Sequence, residues 1–150
     1  MKQSHRLYIL MRNDLPSLNP GKGMAHAAHA ANQFTFEHPK NDDVKSWQRD
    51  AKGFGTTICL SANREQLESI VKSAKRQGLP AALVFDPEYG YSLHREIAEL
   101  IDRKTFAAPA IIKDNGQWIL FRHELTCGYL FVANDNSMRE ELIGSLPLHP

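Results

Sequence analysis

Lys22, His26, His29 and Gln33 are spaced four, three and four residues apart. At about 100° per residue this spacing gathers a cation, two imidazoles and an amide into one narrow stripe of a helix. Alanine fills most of the positions between them, at 25, 27, 28, 30 and 31. Alanine is the best helix former and lets a helix lie close to a sheet. The large polar groups on this flank therefore point to a site. Lys22 follows Gly21 on the first turn, where partial positive charge disfavours a cation unless an anion is bound nearby. Gly21-Lys22-Gly23 is not a phosphate-loop fingerprint, which needs a longer glycine-rich loop and Ser or Thr after the lysine. A His-x-x-His pair could ligate a metal, but no third ligand stands at a diagnostic spacing, so no metal is expected. For either histidine alone, a packed, hydrogen-bonded role is the commoner fate.

The elements that would carry this stripe follow from the flanking sequence. Residues 6–12 form an apolar run and residues 22–34 the alanine-rich helix. Asp43 is expected to cap a short helix carrying Val44 and Trp47. Residues 56–60 are β-branched and apolar, a second strand. Asn63, with Gln66 three residues on, opens a helix that Gly78 stops. Residues 81–85 form a third strand, ended by Asp86-Pro87 and expected to be central. Asp86 would then stand at a strand's C-terminal end, where open α/β sheets place their ligand crevice; a turn aspartate before proline is the equal alternative. Leu93, Ile97, Leu100 and Ile101 suggest a helix over 92–103. Residues 110–113 and 117–121 flank Asn115-Gly116 as a hairpin. Residues 128–132 form a last core strand with Thr126 at its start, and 138–146 a terminal helix. His94, His123 and Tyr89 are further candidates only by proximity in sequence.

Strands and helices alternate through residue 86, which defines an α/β class. The expected architecture is three-layer α/β/α, with a small mixed sheet of about four core strands and an inserted helix and β-hairpin at about residues 91–125. The 150 residues are 42% hydrophobic and suffice for one domain with a real core. A net charge of +1 gives no global pull towards nucleic acid. Lys22, Lys72, Lys75 and Arg76 are the residues that could form a local basic patch. Two cysteines, Cys59 and Cys127, are too few for a disulfide framework and favour a reducing, cytoplasmic setting. No signal peptide or membrane span is expected.

The stretch Arg12-Asn13-Asp14-Leu15, Gly21-Lys22 and Ala28-His29-Ala30 resembles the opening of the type II (archaeal and eukaryotic) peptidyl-tRNA hydrolases. Trp47, the strand 56–60, the helix 64–77 and Gly78-Leu79-Pro80-Ala81-Ala82-Leu83-Val84-Phe85-Asp86 follow that family's order. Thr126 and the helix at Glu140-Glu141-Leu142-Ile143 fit its C-terminal part. The resemblance implies a single domain over 1–150 that hydrolyses the ester of peptidyl-tRNA without cofactor or metal. Lys22, Asp86 and Thr126 carry over as catalytic residues, with Asp86 orienting or deprotonating water, Lys22 stabilising negative charge and Thr126 donating a hydrogen bond. His26 stands where the family usually has glutamine, and could add an acid or base. His29, Asn13, Gly21 and Tyr89 are the expected substrate-binding residues. The implied partner is peptidyl-tRNA or the tRNA 3′ end, with a homodimer an open assembly state and no membrane partner. Where the family carries Ala-Gly-Arg-Thr-Gln after its aspartate, this chain has Pro87-Glu88-Tyr89-Gly90-Tyr91. Two alternatives follow from that departure: a repurposed binding module for tRNA, a nucleotide or a protein, and a hydrolase of a different nucleotide or acyl ester using His26.

Overall fold

The computed structural model describes residues 5–93, 111–114, 117–133 and 136–150. Their elements are β1 (His5–Arg12), α1 (Pro20–Glu37), α2 (Asp42–Arg49), a 3₁₀ turn (Ala51–Gly53), β2 (Thr57–Ala62), α3 (Arg64–Arg76), β3 (Ala81–Leu93), β4 (Ile111–Asp114), β5 (Gln117–Ala133) and α4 (Asn136–Ile143). The sheet runs β2-β1-β5-β3, with β4 on β5. β1 and β2 are parallel, Leu7 opposite Thr57. β1 and β5 are antiparallel, His5 opposite Ala133 and Met11 opposite Cys127. Helices flank this mixed sheet in the expected α/β/α arrangement. The chain divides into two compact units, Met1–Val84 with Thr126–Pro150, and Phe85–Leu125.

In the first unit, side chains alternate across the sheet and bury both faces. Leu7, Ile9 and Met11 of β1 and Cys127, Tyr129 and Phe131 of β5 pack against Ala30 and Phe34 of α1 and Val44 and Trp47 of α2. On the other face α3 lies over Gly128. A Cβ added there would stand 2.8 Å from Leu67 Cδ1 and 2.9 Å from the Ala82 carbonyl oxygen. Glycine at 128 is what lets the helix and the neighbouring strand approach so closely. α3 also contacts α4. Among the described residues no helix is long and apolar enough to cross a membrane.

α1 is longer than expected at both ends. Asn19 is its N-cap and accepts from the Lys22 N–H, with proline at the first helical position, and the last bond runs from the His38 N–H to the Phe34 carbonyl. The capping box of Asn63 and Gln66 is present on α3. α2 begins earlier than expected: Asn41, not Asp43, caps it, and Asp43 sits in the first turn, where a carboxylate meets the helix dipole favourably. α4 likewise begins at Asn136 and ends at Ile143.

Three expectations for the later strands are corrected. β3 does not end at Asp86-Pro87 but runs to Leu93. It is also an edge strand of the described sheet rather than a central one, which is where a proline's missing N–H is tolerated. β5 is continuous over Gln117–Ala133, not two strands broken around 122–127. Thr126 is therefore internal to β5 and not at a strand start.

Within the second unit, the polar residues that suggested a break make contacts across the strands. Phe85 stacks on His123 at 4.9 Å. Tyr91 and Arg122 both bond buried Glu124, each at 2.5 Å. β4 pairs antiparallel with β5, Ile111 opposite Leu120, as the hairpin reading expects. Of the helix expected over 92–103, Ser92 and Leu93 belong instead to β3, while residues 94–103, with His94, and the turn at Asn115-Gly116 lie outside the described residues.

Candidate functional site

The first unit brings the α1 stripe against β5. His26 is 4% exposed and Thr126 0%. Thr126 Oγ1 lies 3.2 Å from His26 Nδ1 and 3.5 Å from the Val84 carbonyl oxygen. The next residue extends the contact, since the Cys127 thiol donates to the His26 carbonyl at 3.4 Å. Burial pushes that thiol up to about 12, so it stays protonated as a donor. His29 is exposed on the next turn, its ring tilted 47° to that of His26 at 5.5 Å. Gln33, further along, donates to the Leu83 carbonyl of β3 at 3.4 Å and to Glu37 at 2.9 Å. The alanine flank does what its composition suggests, bringing the helix backbone close enough for His26 to reach the strand.

Lys22 is half-buried in the first turn of α1, its backbone N–H held by the Asn19 side chain at 2.9 Å. Gly21 is exposed beside it. Asn13 is exposed at the end of β1, and its N–H donates to the Ala62 carbonyl at 3.0 Å. Its neighbour Asp14 ties β1 to α3, accepting from Arg12 Nε at 2.8 Å and from the Arg64 N–H at 3.0 Å. Burial pushes the Asp14 carboxyl up, but those two donors and the Arg12 charge outweigh it and hold it below the usual range.

Asp86 and Tyr89 belong to the second unit. Asp86 is half-buried and accepts from the Glu88 N–H at 2.9 Å, a local turn-like bond inside the strand. Tyr89 is 1% exposed and packs edge-on to Tyr91, so its ring presents almost no surface to a ligand.

The basic residues do not assemble as the sequence allowed. Lys72, Lys75 and Arg76 end α3, which packs on the Gly128 face, whereas Lys22 opens α1 on the Cys127 face. They share neither a face nor an end with Lys22. Among the described residues no group of three or more His, Cys, Asp or Glu side chains is arranged to hold a metal ion.

Two features were not foreseen. The chain's last residues bridge to β2 at Leu60–Leu148, and His149 Nδ1 lies 2.9 Å from Ser61 Oγ. The other ring nitrogen of His149 would stand 3.6 Å from a Cβ at Gly23, one residue from Lys22. The second is Tyr129, fully buried yet bonded through its hydroxyl to Glu37. Neither has a local signal, because each partner is remote in sequence.

An α/β/α sheet with a lysine on the first turn of its first helix, and a buried histidine–threonine pair one turn further on, defines a small α/β domain with a polar site along that helix. The family described as peptidyl-tRNA hydrolase PTH2 matches residues 5–92, and the chain belongs to it. A solved structure of a protein of unknown function from Agrobacterium tumefaciens is similar over 98% of each chain, with a TM-score of 0.50 and 11% identity, a likeness of fold. No curated protein matches the chain.

Proposed function

We propose that the chain hydrolyses the ester between a peptide's C-terminus and the terminal ribose of tRNA. Water adds to the acyl carbon, the bond to the ribose oxygen breaks, and a proton passes to that oxygen. The peptide leaves as a carboxylate. The family match over residues 5–92 carries this reading. Within it, Asp86 orients or deprotonates the water. Lys22, on the electropositive first turn of α1, stabilises the developing oxyanion. Thr126 donates a hydrogen bond, and His29, Asn13 and Gly21 contact the substrate. Residues 1–150 act as one domain.

His26 supports an added proton-transfer role. In the tautomer with a proton on Nδ1, His26 donates to Thr126 Oγ1, which leaves the threonine's single hydroxyl proton for the hydrogen bond it donates in the reaction. Nε2 is then the basic nitrogen, able to take up or give a proton. The test is incubation of wild type, Lys22→Ala and Asp86→Ala with peptidyl-tRNA. Rapid release by wild type and a large loss in both variants is expected. Turnover unchanged in Lys22→Ala overturns the assignment.

A binding module for the tRNA end is the second reading. It is favoured by one observation, that the family match ends at residue 92 while Thr126 lies beyond it. Salt-sensitive tRNA binding with no release of peptide would select it.

A further inference from the structure

The polar stripe of α1 continues past Gln33 to Glu37, and the groups around Glu37 take no part in the hydrolysis described above. Tyr129 donates its hydroxyl to Glu37 Oε2, and Gln33 Nε2 donates to Oε1 at 2.9 Å. His38 Nε2 stands 3.1 Å from the same tyrosine oxygen. Burial, with the Glu37 bond, pushes the Tyr129 hydroxyl's pKa up, so it remains a donor. Glu37 is thus an exposed carboxylate fixed through both oxygens by neutral donors. Among the described residues no lysine or arginine pairs with it.

An open hollow of about 810 Å³ lies on the same turns, lined by Asn32, Gln33, Thr35, Phe36 and Pro39. Phe36 is 86% exposed, an aromatic ring left in water on the outer side of the helix. Gln33 belongs to both features: it lines the hollow and holds Glu37.

The position of the cluster says what it would take. His26 and Glu37 are eleven residues apart, which at 1.5 Å per residue is about 16 Å along the helix. An extended chain covers that span in about five residues. A fixed carboxylate repels phosphate and attracts a cation, so the cluster suits peptide rather than RNA.

We propose that the C-terminal half of α1 seats the peptide of the peptidyl-tRNA, with an apolar side chain against Phe36 and Pro39 and a cationic group, an α-amino end or a basic side chain, at Glu37. This rests on the hydrolase reading for the direction of the chain, but it is tested without hydrolysis.

The full chain is titrated calorimetrically with a free hexapeptide bearing a free amino end and neutral side chains, with its acetylated form, and with an acetylated form carrying lysine first. The free and lysine forms are expected to bind at least fivefold more tightly than the neutral acetylated form. Glu37→Gln should abolish that difference, and Phe36→Ala, an exposed substitution that leaves the fold alone, should weaken all three. Equal binding of the three forms, no binding of any, or a dimer closed through Phe36 in sedimentation overturns the proposal. If the peptides discriminate and peptidyl-tRNA is not cleaved, the hydrolase reading fails and the peptide site stands. If peptidyl-tRNA is cleaved and the peptides do not discriminate, the peptide site alone fails.

Discussion

Thr126 Oγ1 lies 3.2 Å from His26 Nδ1 across 100 residues of sequence, and both side chains are buried. The bond joins the middle of β5 to the second turn of α1. Thr126→Val keeps the shape and removes the hydroxyl, leaving a buried ring nitrogen without this partner. It should cost about 1–3 kcal/mol in urea unfolding and lower peptidyl release, whereas Thr126→Ser should keep most of both. Wild-type stability and turnover in the valine variant would show that the pair is incidental.

Lys22 is half-buried on the first turn, and its side chain is not part of the hydrophobic core. Lys22→Ala should therefore leave the urea midpoint nearly unchanged while lowering kcat by about a hundredfold or more, the cost of losing one oxyanion donor. Lys22→Arg, which keeps the charge with a different reach, should fall between. A fall in stability matching the fall in rate would assign the lysine to structure instead.

The same two residues show what sequence can and cannot carry. The helical stripe, the alanine flank and the capping box at Asn63 are local patterns, and α1, α3 and the α/β/α layering follow from them. His26 was legible as a polar residue on an apolar helix, but its partner on β5 was not, because that pairing depends on strand register. The same limit hid the Ser61–His149 and Glu37–Tyr129 bonds. Misreading β3 and β5 has another cause. Pro87 and the run Arg122-His123-Glu124 are local breakers, yet an edge strand tolerates the proline, and the two charges pair with each other and with Tyr91 of the neighbouring strand. Asn41 outcompeted Asp43 as the cap of α2 because its side chain reaches the N–H groups of both Asp43 and Val44.

Gly128 tests the other face of the sheet. A Cβ there would press on the Leu67 side chain and on the Ala82 backbone carbonyl, and the carbonyl cannot swing aside without moving β3. Gly128→Ala should destabilise the chain by about 1–3 kcal/mol through overpacking. Leu67→Ala opens a cavity at a fully buried position, but it should cost less in the Gly128→Ala chain than in the wild type, by less than the whole overpacking loss, since only one of the two contacts is a side chain. An unchanged urea midpoint in Gly128→Ala would mean that α3 is free to lift from the strand.

Asp14 gives the fold a pH dependence whose sign is fixed by its partners. Its folded carboxyl titrates below the usual range because the Arg12 and Arg64 donors outweigh burial. The unfolded chain therefore holds a proton on this group at a pH where the folded chain does not. The resulting stabilisation is complete above the unfolded value of about 4 and is lost as pH falls through the folded one. The side chain is 38% exposed, so solvent screens the pair and the effect is modest. Asp14→Asn keeps an acceptor for the Arg64 N–H at the start of α3 and removes the charge beside buried Arg12. It should lower stability at neutral pH and flatten the fall in stability on acidification below about pH 4. Urea midpoints measured from neutral pH down to strongly acidic solution read both effects, and parallel curves for the variant and the wild type would remove Asp14 from the acid response.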